Sequence, residues 1–520
     1  MIRFLSNFAV LFIPHLHDRF FVRFINLSVA LVGGDRLRYL ASFACAIMFF
    51  AVVPILADCA IIQVSSNLQG AIDAASSGDT LIVAPGAYEK ITIGKSLKLI
   101  GNGAMIRAGD RDACVSIQAD DVEISGFLVR DGFYGIKLDN VKGCKLDNNT
   151  VIRCVQPGIA LLFSNGNTIT GNNASFNGLG GEGWYGIYLS NSNNNLIDGN
   201  MASGNGAYGI CLFPSCNNNT ITRNVLQGNM YGLYMFRDCS RNRIESNVMS
   251  NNINSGLDLR INCTDNLILN NIMEKNAVAG ITLMEMSGHN TINENRLTGN
   301  NRYGLQIQSG SDGNIIINNS ISDSQTGIFL ESSGNVIYGN RITENAVSAD
   351  DRGKNSWNAD YPKGGNLWSD YLGKDEMSGP SQDIPGKDGF GDEPYGINEI
   401  SQDKYPIMGN QEKQILVIDK SVSPTSARIG DSIALMARIK SKYKISQASV
   451  NAFRLGSEAK GYARLIPTGD LYQGKFSTAL LDPGSYEIVL RARDERGYEL
   501  KETLGSIEVG SRSGGFSSSK

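Results

Sequence analysis

The chain has 520 residues, a formal net charge of −4 and a sequence pI near 5.6; a nucleic-acid partner is excluded, because neutralising phosphates takes a basic stripe. Its 58 glycines do not recur at every third position, which excludes collagen, and 42% of residues are hydrophobic and regularly placed, which excludes disorder. The length allows two or three domains, and the heavy use of Gly and Asn points to an elongated repeat.

Residues 39–57 (YLASFACAIMFFAVVPILA) are uncharged and follow Arg36 and Arg38. They read as a signal peptide with a long n-region, or as an uncleaved N-terminal anchor. Residues 1–60 are thus a targeting segment, the body lies outside the cytoplasm (secreted, periplasmic or at the cell surface), and membrane contact is confined to this segment. Residues 66–77 suit a short helix with Leu68, Ile72 and Ala75 on one face, placed to cover the open N-terminal end of a repeat domain.

Beyond this helix the sequence repeats. Gly135, Gly158, Gly186, Gly209, Gly232, Gly256, Gly280, Gly304 and Gly327 each precede an Ile or Leu, with another aliphatic two residues later. The spacing of about 23 residues is broken by an insertion, Gly178 to Trp184, which must loop out. A second register, Asn-x-Ile-x-x-Asn, puts Asn172, Asn200, Asn224, Asn247, Asn271, Asn295, Asn319 and Asn340 at equivalent positions, and a further Asn follows five residues later except at Ser324. Alternating aliphatics point inward from three short strands per turn, and Gly and Asn suit left-handed corners between them. The expected fold is all-β: a right-handed parallel β-helix over residues 61–347, with the eight asparagines stacked in one column at roughly 4.8 Å per rung.

Residues 348–410 form a closing segment rich in Gly, Asp and aromatics. Residues 413–510 are short alternating strands with Gly, Asp and Pro turns, read as a small immunoglobulin-like β-sandwich, and residues 511–520 as a disordered tail.

Residues 69–101 (QGAIDAASSGDTLIVAPGAYEKITIGKSLKLIG), followed by the Gly-Ile-x-Leu and Asn-x-Ile-x-x-Asn rungs, resemble the NosD-type β-helix family, also described as carbohydrate-binding and sugar-hydrolase-type repeats. The resemblance covers roughly residues 60 to 408, and residues 355–408 resemble the segment that closes many archaeal surface β-helices. It implies the β-helix fold and, by the family's name, a periplasmic role in maturing the copper site of nitrous oxide reductase.

Several residues could carry chemistry. Cys216, Cys239 and Cys263 each lie seven residues after their rung glycine and should stack, as apolar filler, as a disulfide, or as a site for a soft ion such as Cu(I). Beyond the targeting segment His289 is the only histidine, which excludes a histidine-based metal site and argues against copper. Residues 355–408 hold ten acidic side chains against four lysines; Asp383, Asp388 and Asp392, with Asp375 as a fourth, are spaced by glycine turns as calcium ligands are. Tyr134, Tyr185, Tyr208, Tyr231 and Tyr303 precede rung glycines and should form an aromatic column, either a binding face or a stiffened corner. Asp258 and Arg260 share one face of one strand and are the only compact acid–base pair. The chain therefore reads as an exported β-helix that binds or scaffolds glycans or envelope proteins. The alternatives are a NosD-like copper-binding maturation protein, and a polysaccharide lyase, hydrolase or epimerase.

Overall fold

The inward aliphatics build three parallel sheets that wind around one core. The computed structural model describes residues 59–109, 111–178, 185–409, 415–441, 443–454, 460–495 and 499–511. The targeting segment up to residue 58, most of the inserted loop and the tail beyond Ser511 lie outside the described residues.

The chain winds as a right-handed parallel β-helix. A 13-stranded first sheet runs from Ile61–Val64 to Val336–Tyr338, and a 12-stranded second sheet from Ile91–Ile93 to Val347–Asp351. The third sheet has four strands and then seven, joined through the bridges Thr150↔Asn173, Asn173↔Met201 and Met201↔Val225. Every rung contributes inward aliphatics such as Ile187, Leu189 and Ile197, all fully buried in one continuous core. One rung cannot bury such a face alone, so stability belongs to the stack.

The asparagine column forms as expected and is longer. Each Nδ2 donates to the Oδ1 of the next rung: Asn172 to Asn200 at 3.1 Å, Asn224 to Asn247 at 2.9 Å, Asn319 to Asn340 at 2.9 Å, with Asn149 before the series and Asn366 after it. The same Oδ1 also accepts the backbone N–H of the preceding rung's Asn, so one side chain satisfies several buried polar groups. A second ladder runs from Asn167 to Asn355, and a third from Asn177 to Asn300.

The corners work differently from the expectation. The ladder asparagines do not take the left-handed conformation; up to Asn345 the residue just before each of them does, whereas Lys354 and Gly365, before Asn355 and Asn366, do not. That position holds Asn or Gly (Asn218, Asn270, Gly199, Gly228) but also Arg223, Ser246, Lys275 and Glu294, all at φ between 52° and 63°. The rung glycines are not left-handed either. They are needed for close approach, since a Cβ on Gly232 would lie 2.5 Å from the carbonyl oxygen of Gly256.

The ends are sealed. A seven-residue helix, Leu68–Ala74, buries Leu68 and Ile72 against the core, and Ala75 just beyond it is buried too. Gln69 behaves as an extra strand for the edge: its Oε1 accepts Thr92 N–H at 2.7 Å and its Nε2 donates to Thr92 C=O at 3.1 Å. At the other end the solenoid runs past residue 347, through Val347–Asp351 and Leu367–Trp368. Two ladders stop there on buried carboxylates. Asn355 Nδ2 donates to Asp351 Oδ1 at 2.7 Å, and Asn366 N–H to Asp403 Oδ2 at 2.6 Å. Each carboxylate also accepts an indole N–H at 2.8 Å, from Trp357 and Trp368 respectively.

Residues 415–511 form a four-stranded and a five-stranded sheet packed over a core that includes Ile433, Val450, Phe476, Tyr486 and Ile488. Most pairs are antiparallel; Ser426–Arg428 pairs parallel with Glu499–Gly510.

Candidate functional site

The second sheet carries the most distinctive outer surface. Its strands begin at the rung glycines, so the residue before each glycine and the residues two and four after it point outward. On three successive rungs all three outward columns are aromatic or nearly so. Tyr185, Tyr208 and Tyr231 form the first column, with centroids 5.2 and 5.6 Å apart and planes within 17°. Tyr188, Cys211 and Tyr234 are paired across the same rungs as the second column. Phe213 and Phe236, 5.2 Å apart, supply the third. The columns are packed together, Tyr185 on Tyr188 at 4.7 Å and Tyr208 on Tyr234 at 4.6 Å. Tyr185, Tyr208, Cys211, Phe213, Tyr234 and Phe236 line a shallow depression between them. Because the first-column rings stack on one another, they show edges rather than open faces to solvent. Burial raises the phenol of Tyr208 to about 12 and holds the Cys211 thiol well above its usual range, so both stay neutral.

The next rung ends the patch with the acid–base pair. Arg260 binds Asp258 through two bonds, Nε to Oδ1 at 2.7 Å and Nη2 to Oδ2 at 3.0 Å. Asp258 is buried, which raises its pKa against the opposing pull of Arg260. Arg260 also lies 5.8 Å from the Tyr231 ring and 5.7 Å from that of Tyr234, and donates to Tyr231 Oη at 3.3 Å. The two charged groups are spent on each other and on the aromatic column, which leaves neither as a free acid or base.

The other expected sites are rearranged. Tyr303 does not join the column; Ser255 and Ala279 fill its position on the intervening rungs, and Tyr303 packs buried on Phe329 at 5.0 Å, under Arg302. Tyr134 pairs edge-on with Phe133 instead. The carboxylates of the closing segment do not converge as the spacing suggested. Asp375 accepts N–H of Asp388 and Gly389, Asp388 accepts N–H of Gly379 and Phe390, Asp392 accepts N–H of Glu376 and Met377, and Asp383 is exposed. Asp375, Asp388 and Asp392 cap turns through backbone N–H groups, and among the described residues no three acidic side chains are grouped to hold an ion.

Cys216, Cys239 and Cys263 do stack, as free and fully buried thiols. Their column continues as Ser164 and Ser192 on one side and Ser287 and Ser311 on the other, where hydroxyls accept backbone N–H of the neighbouring rung, as Ser192 does from Ser164 at 3.0 Å. The position selects a small side chain, and cysteine fills it. Sequence reasoning missed the outward Tyr188, Tyr234, Phe213 and Phe236, although their period-two spacing from the rung glycines is visible. It also missed Asp351 and Asp403, which no repeat marks.

A cell surface glycoprotein of Methanothermus fervidus (strain ATCC 43054 / DSM 2088 / JCM 10308 / V24 S) is 40% identical over 91 residues, 16% of this chain and 15% of that protein, so the match spans far less than two thirds of this relative. Among solved structures, the A-module of the Azotobacter vinelandii mannuronan C-5 epimerase AlgE6 is similar over 53% of this chain and 95% of that one, at 17% identity and a TM-score of 0.42. Pectate lyase Pel9A is similar over 54% and 79%, at 16% identity and a TM-score of 0.39. These are likenesses of fold, and no activity is carried over from them.

A family model described as "Periplasmic copper-binding protein (NosD)" matches residues 72–259 and 236–373. Copper asks for converging soft or imidazole donors. Here Cys216 and Cys263 are two rungs apart, Cys239 between them is sealed in the core, and His289 is exposed on a corner. Among the described residues no three His, Cys, Asp or Glu side chains are grouped to hold a metal. The residues present do not fit copper, and what this chain shares with the family is the repeat and its winding. With more than half of its length matched, the chain belongs to the NosD family.

Proposed function

We propose that this protein is an exported, surface-located β-helix that docks another envelope protein on the outer aromatic face of its second sheet. The observation that carries the reading is the three-rung patch of Tyr185, Tyr208, Tyr231, Tyr188, Tyr234, Phe213 and Phe236, closed by Arg260. Tyrosine, phenylalanine and arginine are the residues enriched where proteins meet, and contiguous outward aromatics mark interaction sites. The first-column rings already cover one another, which favours a protein surface reaching edges and hydroxyls over a sugar ring laid flat on an open face. The family's description as periplasmic and the surface relative both support a location outside the cytoplasm.

The test is binding of the full chain to envelope proteins and, separately, to envelope glycans isolated from the same cells. Tyr208→Ala with Tyr234→Ala should weaken protein binding at least about tenfold, consistent with losing two aromatic anchors of ~1 kcal/mol or more each. Tm monitors the fold. Unchanged protein binding by a folded double variant would refute the reading, and loss of glycan binding alone would replace the protein partner by a glycan.

A further inference from the structure

The asparagines of this chain fall into two populations. Those in the ladders are buried and fully hydrogen-bonded. A second set lies on the outer corners, and within it Asn148-Asn149-Thr150, Asn218-Asn219-Thr220, Asn262-Cys263-Thr264 and Asn318-Asn319-Ser320 each have the Asn-x-Ser/Thr pattern of an acceptor for N-linked sugar. All four acceptor asparagines are exposed, on left-handed corners at φ 52°, 56°, 57° and 55°. No ladder asparagine is itself the acceptor of such a tripeptide, because none is followed two residues later by Ser or Thr. One further match among the described residues, Asn173-Ala174-Ser175, is half-buried with its Oδ1 sealed from solvent, so it offers an internal control.

We infer that Asn148, Asn218, Asn262 and Asn318 are sites of N-linked glycosylation. The inference rests on the exported location proposed above. The chemistry is a transfer from an oligosaccharide activated as a lipid-linked glycosyl phosphate. Asn Nδ2 attacks the anomeric carbon, forming the C–N bond; the carbon–oxygen bond to phosphate breaks and the phosphate leaves with the electron pair. The amide proton passes to a base of the transferring enzyme. The present partners of these amides, half-buried Asp147 for Asn148 and exposed Asp238 for Asn262, each at 2.7 Å, exchange with water at little cost.

The sites are not scattered evenly. Asn218 and Asn262 lie on the corner between the second and first sheets, and Asn148 and Asn318 on the corner between the first and third. Among the described residues, the remaining corner, which leads into the Tyr185–Tyr208–Tyr231 column, has no exposed acceptor. Sugar on the two occupied corners would sheathe the first sheet and leave that tyrosine column bare, with the glycan at Asn262, two residues past Arg260, on the opposite side of the patch, next to the Phe213–Phe236 column.

The experiment is peptide mapping by mass spectrometry of the full chain purified from the cells that export it. A glycan mass is expected on peptides holding the four sites, with Asn173 and the ladder asparagines at their plain mass. Thr150→Val, Thr220→Val, Thr264→Val and Ser320→Ala should each remove the sugar from its own asparagine alone, while Thr220→Ser should keep it. Plain mass at all four sites in exported protein overturns the inference and leaves the surface reading intact. Sugar on Asn173 or on a ladder asparagine overturns the accessibility rule. Protein retained in the cytoplasm overturns both.

Discussion

At the residue scale the corner and the ladder divide the work that the sequence pattern had merged. A left-handed residue costs ~1–2 kcal/mol when it is not glycine, yet Lys275 sits there at φ 55° with its side chain exposed. Lys275→Gly should therefore raise Tm, the gain being roughly 0.5–1 kcal/mol after the extra freedom of glycine in the unfolded chain is subtracted. The ladder residue one place on behaves oppositely. Asn224 accepts Asn200 N–H at 2.9 Å and Asn200 Nδ2 at 3.1 Å, and donates to Ile197 C=O and Asn247 Oδ1, each at 2.9 Å. Asn224→Ala orphans several buried groups at once and should cost about 2–4 kcal/mol, read as a fall in Tm. The column of eight asparagines was legible because its spacing is strict. Which of two adjacent corner residues turns left-handed was not, because Arg, Ser, Lys and Glu all occupy that place.

At the element scale, the strands come directly from period-two aliphatics between Asn and Gly, and the capping helix from Leu68, Ile72 and Ala75. The closing segment was not legible, since its hydrogen bonds join residues far apart in sequence, as Asp403 joins Asn366 and Trp368. The spaced aspartates suggested calcium because acidic loops with glycine turns look alike whether the carboxylates meet a cation or backbone N–H groups. Burial pushes Asp403 up from 3.8 to about 6, against the opposing pull of Trp368 and Asn366 N–H. A carboxyl raised in the folded state binds its proton more tightly there. Its stabilising contribution is complete below the unfolded value and is lost as pH rises through about 6. The Tm of the wild type relative to Asp403→Asn should fall as pH goes from 4 to 7, by the equivalent of roughly 1–3 kcal/mol. A flat or rising difference would show that its N–H donors hold the carboxylate ionised throughout.

At the scale of the whole molecule, the winding and the family were readable in the repeat, and the outer chemistry only in part. Tyr185, Tyr208 and Tyr231 were visible beside their glycines, and so were Ser255 and Ala279, which interrupt the column before Tyr303; grouping Tyr303 with the others passed over that break. Asp258 and Arg260 looked like an acid beside a base; their two-bond pairing makes them the neutral end of an aromatic face. Arg260→Ala would leave Asp258 buried and unpaired, so it should lower Tm as well as weaken docking, whereas Phe236→Ala, on a half-buried outer ring, should weaken docking with a smaller loss of stability. The most direct measurement of the central claim is hydroxyl-radical footprinting of the full chain with and without the isolated envelope proteins. The account predicts protection of Tyr188, Phe213, Tyr234 and Phe236 on binding, with exposed aromatics elsewhere, such as Phe163 and Tyr462, unchanged. Equal oxidation of those four residues in the free and bound protein would contradict it.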